Sequence, residues 1–204
     1  DRQATSSLGA NAIHLPFQSS IYRIDPVTRQ YLYTHKLDVF SNNWQREKAL
    51  ISKISQHLLF TLKKLNWEFL FSPLGVGNHV DHMLTRQAIE SGIEDLEKQK
   101  LVYFEEFPYV LKYNLFETKF PSLLTELMQS KVFPLSEADI CAREKASQLY
   151  VSQLQKSNNE IGIPISEIRQ YASLILQEDI HVFGERYWFF ETNSFHILDN
   201  VCKN

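Results

Sequence analysis

Cysteine is scarce in this chain of 204 residues: Cys141 and Cys202 are too few to imply a disulfide framework. A reducing compartment is the simpler expectation, and the cytoplasm is the expected location. Excess positive charge is lacking too. Against 24 acidic residues stand 21 Lys and Arg, a net charge of -3 with no basic run, so no nucleic acid is expected as partner. No apolar stretch reaches the roughly 18–20 residues a helix needs to span a bilayer, and no secretory signal pattern is visible. An initiating Met is missing as well. A polar start of Asp1-Arg2-Gln3-Ala4-Thr5-Ser6-Ser7 reads like the approach to an amphipathic helix, so a processed or truncated chain is expected.

What is present is ordinary globular material, 44% apolar and 22% charged, enough for one sizeable core. A single α/β domain over residues 1–204 is expected. Ala10 to Pro16 reads as a short strand after a helix end at Gly9. Ser19 to Phe40 reads as an irregular surface excursion, with a turn at Asp25-Pro26. A helix is predicted from about Trp44 to Leu65, with Ile51, Ile54, Leu58, Leu62 and Leu65 at helical spacing. Trp67 to Ser72 is a nearly continuous apolar run, as a buried parallel strand shows.

A loop, Pro73 to Asn78, leads from that strand into a predicted helix from His79 to about Lys98. Leu101 to Phe107 resembles a second buried strand, and strands alternating with helices point to an α/β sheet with right-handed crossovers. Helices are predicted from Ser136, with Asp139 in capping-box spacing, and from Ser166, with Ile168, Tyr171, Ala172 and Ile175 on one stripe. The aromatic run Tyr187-Trp188-Phe189-Phe190 is expected to pack on the core.

The chemistry concentrates at His79-Val80-Asp81-His82. Residues three apart share a helical face, so the two imidazoles can address one small volume. Ligands in open α/β sheets bind beyond the carboxyl ends of strands, where helices begin. The positive end of a helix dipole favours neutral imidazole, the form that ligates metal. Asp81 can orient an imidazole, or simply stabilise the helix N-terminus. Gly75 and Gly77 let the backbone turn tightly. Glu105 and Glu106 sit at a strand's carboxyl end and either reach a ligand or are solvated. His181 either lines the substrate or is a hydrogen-bonded structural residue.

The loop resembles the second motif of the PIG-L/LmbE family of zinc-dependent N-deacetylases, which includes N-acetylglucosaminyl-phosphatidylinositol de-N-acetylase. That motif, Pro-x-x-x-Gly-x-His-x-Asp-His, stands here as Pro73 to His82. Weaker matches follow at Val102–Tyr109, Lys145–Gln153 and Glu185–Trp188. Arg2 to Phe17 resembles the family's earlier helix and strand. The resemblance implies a Rossmann-like, mostly parallel sheet flanked by helices, and removal of an N-acetyl group from an N-acetylglucosamine-type sugar or glycoconjugate. It implies His82 as a zinc ligand, and His79 supported by Asp81 as the stabiliser of the oxyanion or the acid for the leaving amine.

The family's first motif, His-Pro-Asp-Asp-Glu, has no counterpart in these residues. It supplies two further zinc ligands and the general base, so the chain is expected to lack zinc-dependent activity as it stands. The resemblance also implies a central first strand with no counterpart here, and that strand is expected to come from upstream residues, a separate chain or a rearranged sheet. The alternative is a non-catalytic relative serving as a binding or partner-interaction module.

Overall fold

The computed structural model describes residues 1–93, 100–112, 128–151, 165–176 and 183–190. The chain forms two compact units, residues 17–106, 113–130 and 187–204 in one and residues 1–16, 107–112 and 131–186 in the other.

The first of these holds α2 (Lys48–Leu62), β1 (Leu70–Pro73), α3 (Val80–Gly92) and β2 (Leu101–Phe104). β1 and β2 pair in parallel, with Leu70 opposite Leu101 and Pro73 opposite Phe104. Trp67 and Phe69 of the apolar run lie before β1 begins. The α3 helix lies against both α2 and β1, burying Val80, Met83, Leu84, Ala88 and Ile89 at helical spacing. At Gly92 a Cβ would run into the Ser55 hydroxyl of α2, so the two helices approach where no side chain intervenes. The predicted second helix begins later than expected. Residues Asn42–Glu47 form a 3-10 turn before it, and Leu65 lies past its end, 47% exposed.

The other unit is mostly helical, with α1 (Arg2–Ser7), α4 (Tyr109–Lys112), α5 (Glu137–Gln148) and α6 (Ile165–Leu176). Ser136 and Asp139 form the expected capping box: the Ser136 hydroxyl accepts from Asp139 N, and the Asp139 carboxylate accepts from Ser136 N. The α6 stripe is buried as predicted, with Ile168, Tyr171, Ala172 and Ile175 all 9% exposed or less. Ile140, Ala172 and Phe183 form the core of this unit, with Leu135 against them. Arg169 ties α6 to α5 by reaching Glu137 and Glu144.

With β3 (Met128–Leu135) and β4 (Phe183–Phe190) the strands form a four-stranded sheet in the order β1-β2-β4-β3. β4 pairs with β2 in antiparallel fashion, Tyr103 opposite Trp188. The aromatic tail is therefore a strand, and Phe189 is buried at 2% exposure. The architecture is α/β, a mixed sheet flanked by helices.

One expectation is corrected: residues 10–16 form no strand, and Ile13 is 59% exposed, since a segment without a partner makes no ladder. The Ser19–Phe40 segment is irregular and mostly exposed, as expected, with two 3-10 turns and an Ile24–Tyr31 bridge, but it also buries Ser20, Arg23, Tyr33 and Val39.

Candidate functional site

β1 ends at Pro73, and the next five residues turn the chain into α3. Gly75 and Gly77 take positive φ angles of 92° and 76°, and Asn78 follows at 55°. A side chain at Gly75 would also collide with Met83 Sδ, 2.6 Å from an added Cβ. The loop's polar backbone is satisfied on both sides. Leu74 N donates to Phe104 O at 2.9 Å, and Leu74 O accepts from Arg86 Nη1 at 2.5 Å. Gly75 N and Val76 N donate to the two oxygens of Glu106, at 2.7 and 3.0 Å.

His79 is the N-cap of α3, its Nδ1 accepting from Asp81 N at 3.2 Å. That bond leaves the imidazole proton on Nε2. Burial, then neighbouring His82, lower its pKa from 6.5 to about 4, with Asp81 and Glu106 opposing and Arg23 adding to the shift. His79 is thus a neutral N–H donor at physiological pH. Its ring centroid lies 4.9 Å from that of His82 and 5.3 Å from Phe40. The spacing expectation holds: the two imidazoles are neighbours.

Asp81 is held more firmly than a dipole-stabilising carboxylate would be. It accepts from Ser19 Oγ at 3.0 Å, from Ser20 N and Oγ, and from Arg23 Nη1 at 2.6 Å. Burial alone would raise its pKa, but the Ser20 N–H and the Arg23 charge outweigh it and hold Asp81 below the usual carboxylate value. Arg23 continues inward, with Nε 2.8 Å from Glu47 Oε2. The Tyr33 hydroxyl donates to the other Glu47 oxygen, and the guanidinium lies over the Tyr33 ring at 5.4 Å.

Sequence reasoning missed Ser20, Arg23, Tyr33 and Glu47. They lie far from the motif along the chain, and nothing local marks Arg23 as a buried cation. Glu105 and Glu106 are also resolved against the solvated reading, at 7% and 4% exposure. Glu105 accepts from Trp188 Nε1 at 2.8 Å. Glu106 Oε1 lies 3.3 Å from His82 Nδ1. His181, Ser152 and Gln153 lie outside the described residues.

Among the described residues no group of three or more His, Cys, Asp or Glu side chains is placed to hold a metal ion. His82 Nδ1 is buried 3.3 Å from a carboxylate already engaged by two backbone amides, and makes no hydrogen bond to it. Catalytic zinc takes about three protein ligands, so these residues by themselves do not fit it. No helix among them is long and apolar enough to cross a membrane.

The fold is that of known deacetylases. The zinc-inhibited form of teicoplanin deacetylase superposes with a TM-score of 0.72 at 18% identity, covering 94% of this chain and 72% of that one. A deacetylase–teicoplanin complex gives 0.68 at 17%, covering 92% and 69%. The A40926 pseudoaglycone deacetylase gives 0.66 at 17%, covering 94% and 68%. No protein-family model matches the chain, and no curated protein sequence does.

Proposed function

We propose that this protein is a hydrolase that removes an N-acetyl group from an amino sugar or glycoconjugate of N-acetylglucosamine type, with His79, Asp81 and His82 at its site. The observation that carries the reading is the pair of adjacent imidazoles where β1 gives way to α3. The deacetylase fold of the solved neighbours supports it.

Amide hydrolysis builds negative charge on the carbonyl oxygen, and a fixed, neutral N–H donor aimed at that oxygen stabilises it. His79 Nε2–H has that character, because its low pKa keeps it uncharged while Asp81 N–H fixes the tautomer. Asp81 does not act as a free base in this account. Ser19, Ser20 and Arg23 engage its oxygens, and its work is to hold the first turn of α3, and with it His79, in place. The zinc that the PIG-L/LmbE resemblance implies would bind at His82 and would require further ligands that the described residues do not supply. No step is drawn through it.

That same shortage of metal ligands favours a second reading, a non-catalytic relative that binds an N-acetylated sugar or a protein partner. One experiment separates the two. The protein purified from its natural source is incubated with N-acetylglucosamine glycoconjugates while acetate and bound zinc are measured together. Acetate release that is lost on chelation is the expected result. A folded protein that holds no zinc and releases no acetate, yet binds the sugar, would make the second reading correct.

A further inference from the structure

The helical unit holds a cavity in which the imidazole pair has no part. Its volume is about 410 Å³, a size that takes a small organic ligand. Ala4 of α1, Ala146 of α5 and Leu135 at the end of β3 give it apolar walls. Arg143, Tyr150 and Glu185 bring polar groups to the same space. Two segments that the imidazole chemistry leaves unused meet here: Tyr150 belongs to the Lys145–Gln153 match and Glu185 to the Glu185–Trp188 match.

Charge decides which ligand suits these walls. Arg143 Nη1 donates to Glu185 Oε1 at 3.2 Å, and the two side chains are 27% and 28% exposed, so neither is shut away from a ligand. The ring of Phe107 backs the guanidinium at 5.7 Å. Asp139, also on the wall, is turned to the start of α5, where it accepts from Ser136 N and Oγ. Arg143 and Glu185 together carry no net charge. An anion competes with Glu185 for Arg143, and a cation competes with Arg143 for Glu185. A neutral diol does neither, because a guanidinium has five N–H groups and one of them suffices for Glu185. Adjacent hydroxyls accept from Arg143 and donate to Glu185, while the C–H face of a sugar ring covers the apolar wall.

We infer that this cavity is a carbohydrate-binding site that takes a neutral sugar ring through Arg143 and Glu185. It lies in the unit that does not carry His79 and His82, and is therefore a sugar site additional to theirs. The choice of an N-acetylated sugar as its ligand rests on the proposed function.

The test is binding by the full chain, without turnover. Protein carrying 13C-methyl alanine is titrated with N-acetylglucosamine, with the cationic glucosamine and with the anionic glucuronate. N-Acetylglucosamine is expected to shift the Ala4 and Ala146 methyl resonances saturably in the millimolar range, and the charged sugars to bind about tenfold more weakly. Arg143→Met is expected to weaken N-acetylglucosamine about tenfold, as loss of a charged hydrogen-bond donor does. Methyl resonances that stay still, or that respond equally in folded Arg143→Met, would overturn the inference. So would tighter binding of glucosamine or glucuronate, and the unaltered protein decides that point even if the variant fails to fold. Shifts confined to the His79 and His82 imidazoles would overturn this site and leave the deacetylase reading standing. Shifts of Ala4 and Ala146 without any acetate release would do the reverse.

Discussion

Arg23 is a buried cation whose removal is costly. Its guanidinium stands between two carboxylates, Asp81 and Glu47, and is 10% exposed. Deleting one partner of a buried ion pair leaves the other charge uncompensated, a loss of about 3–5 kcal/mol. Arg23→Ala is therefore expected to lower unfolding stability by about 3 kcal/mol in urea titration, because two carboxylates lose their counter-ion together. An effect below about 0.5 kcal/mol, the size of an ordinary surface change, would contradict the network. His79 makes a second prediction at this scale. Its folded pKa of about 4 lies below the unfolded 6.5, so between those values the unfolded chain carries the extra proton. The His79 contribution to stability then rises with pH from about 4 to 6.5 and is level above that window. Replacing His79 by Gln should flatten that part of the pH–stability curve. An imidazole titration near 6.5 in the native protein would contradict it.

At the scale of elements, the strand–loop–helix unit was legible and its supports were not. The apolar run before Pro73, the two glycines and the helical spacing after His79 are local signals, and each found its element. The tether on that helix comes from Ser19, Ser20 and Arg23, in a segment whose exposed Ile21, Tyr22, Val27 and Tyr31 make it look like surface. The segment is surface as it reads, and what the pattern hides is that Ser20 and Arg23 turn inward from it. The Ala10–Pro16 strand failed for another reason: β pattern alone makes no strand without a neighbouring ladder. The capping box at Ser136 and Asp139 succeeded because both partners lie within one turn. Gly75 tests the loop itself. With φ at 92° and Met83 Sδ in the path of a Cβ, Gly75→Ala is expected to cost about 1–3 kcal/mol and to shift the His79 and His82 imidazole resonances. A variant as stable as the parent, with those resonances unmoved, would show that the turn tolerates a side chain.

Across the whole molecule, alternating strands and helices pointed to an α/β sheet, and the match to deacetylase structures over 94% of the chain agrees with it. The sheet is less parallel than expected, since the aromatic run that reads as core packing is β4, antiparallel to β2. Hydrophobic pattern marks such a strand as buried but carries no information about its direction. The central claim is that His79 and His82 act together on one N-acetyl group. Its most direct test is the rate of acetate release by the protein from its natural source and by His79→Ala, His82→Ala and the double variant. His79→Ala is expected to lower the rate by about 10²-fold, as loss of one oxyanion donor does. His82→Ala is expected to abolish release, with the double variant no worse. Undiminished acetate release from His79→Ala or from His82→Ala would contradict the account.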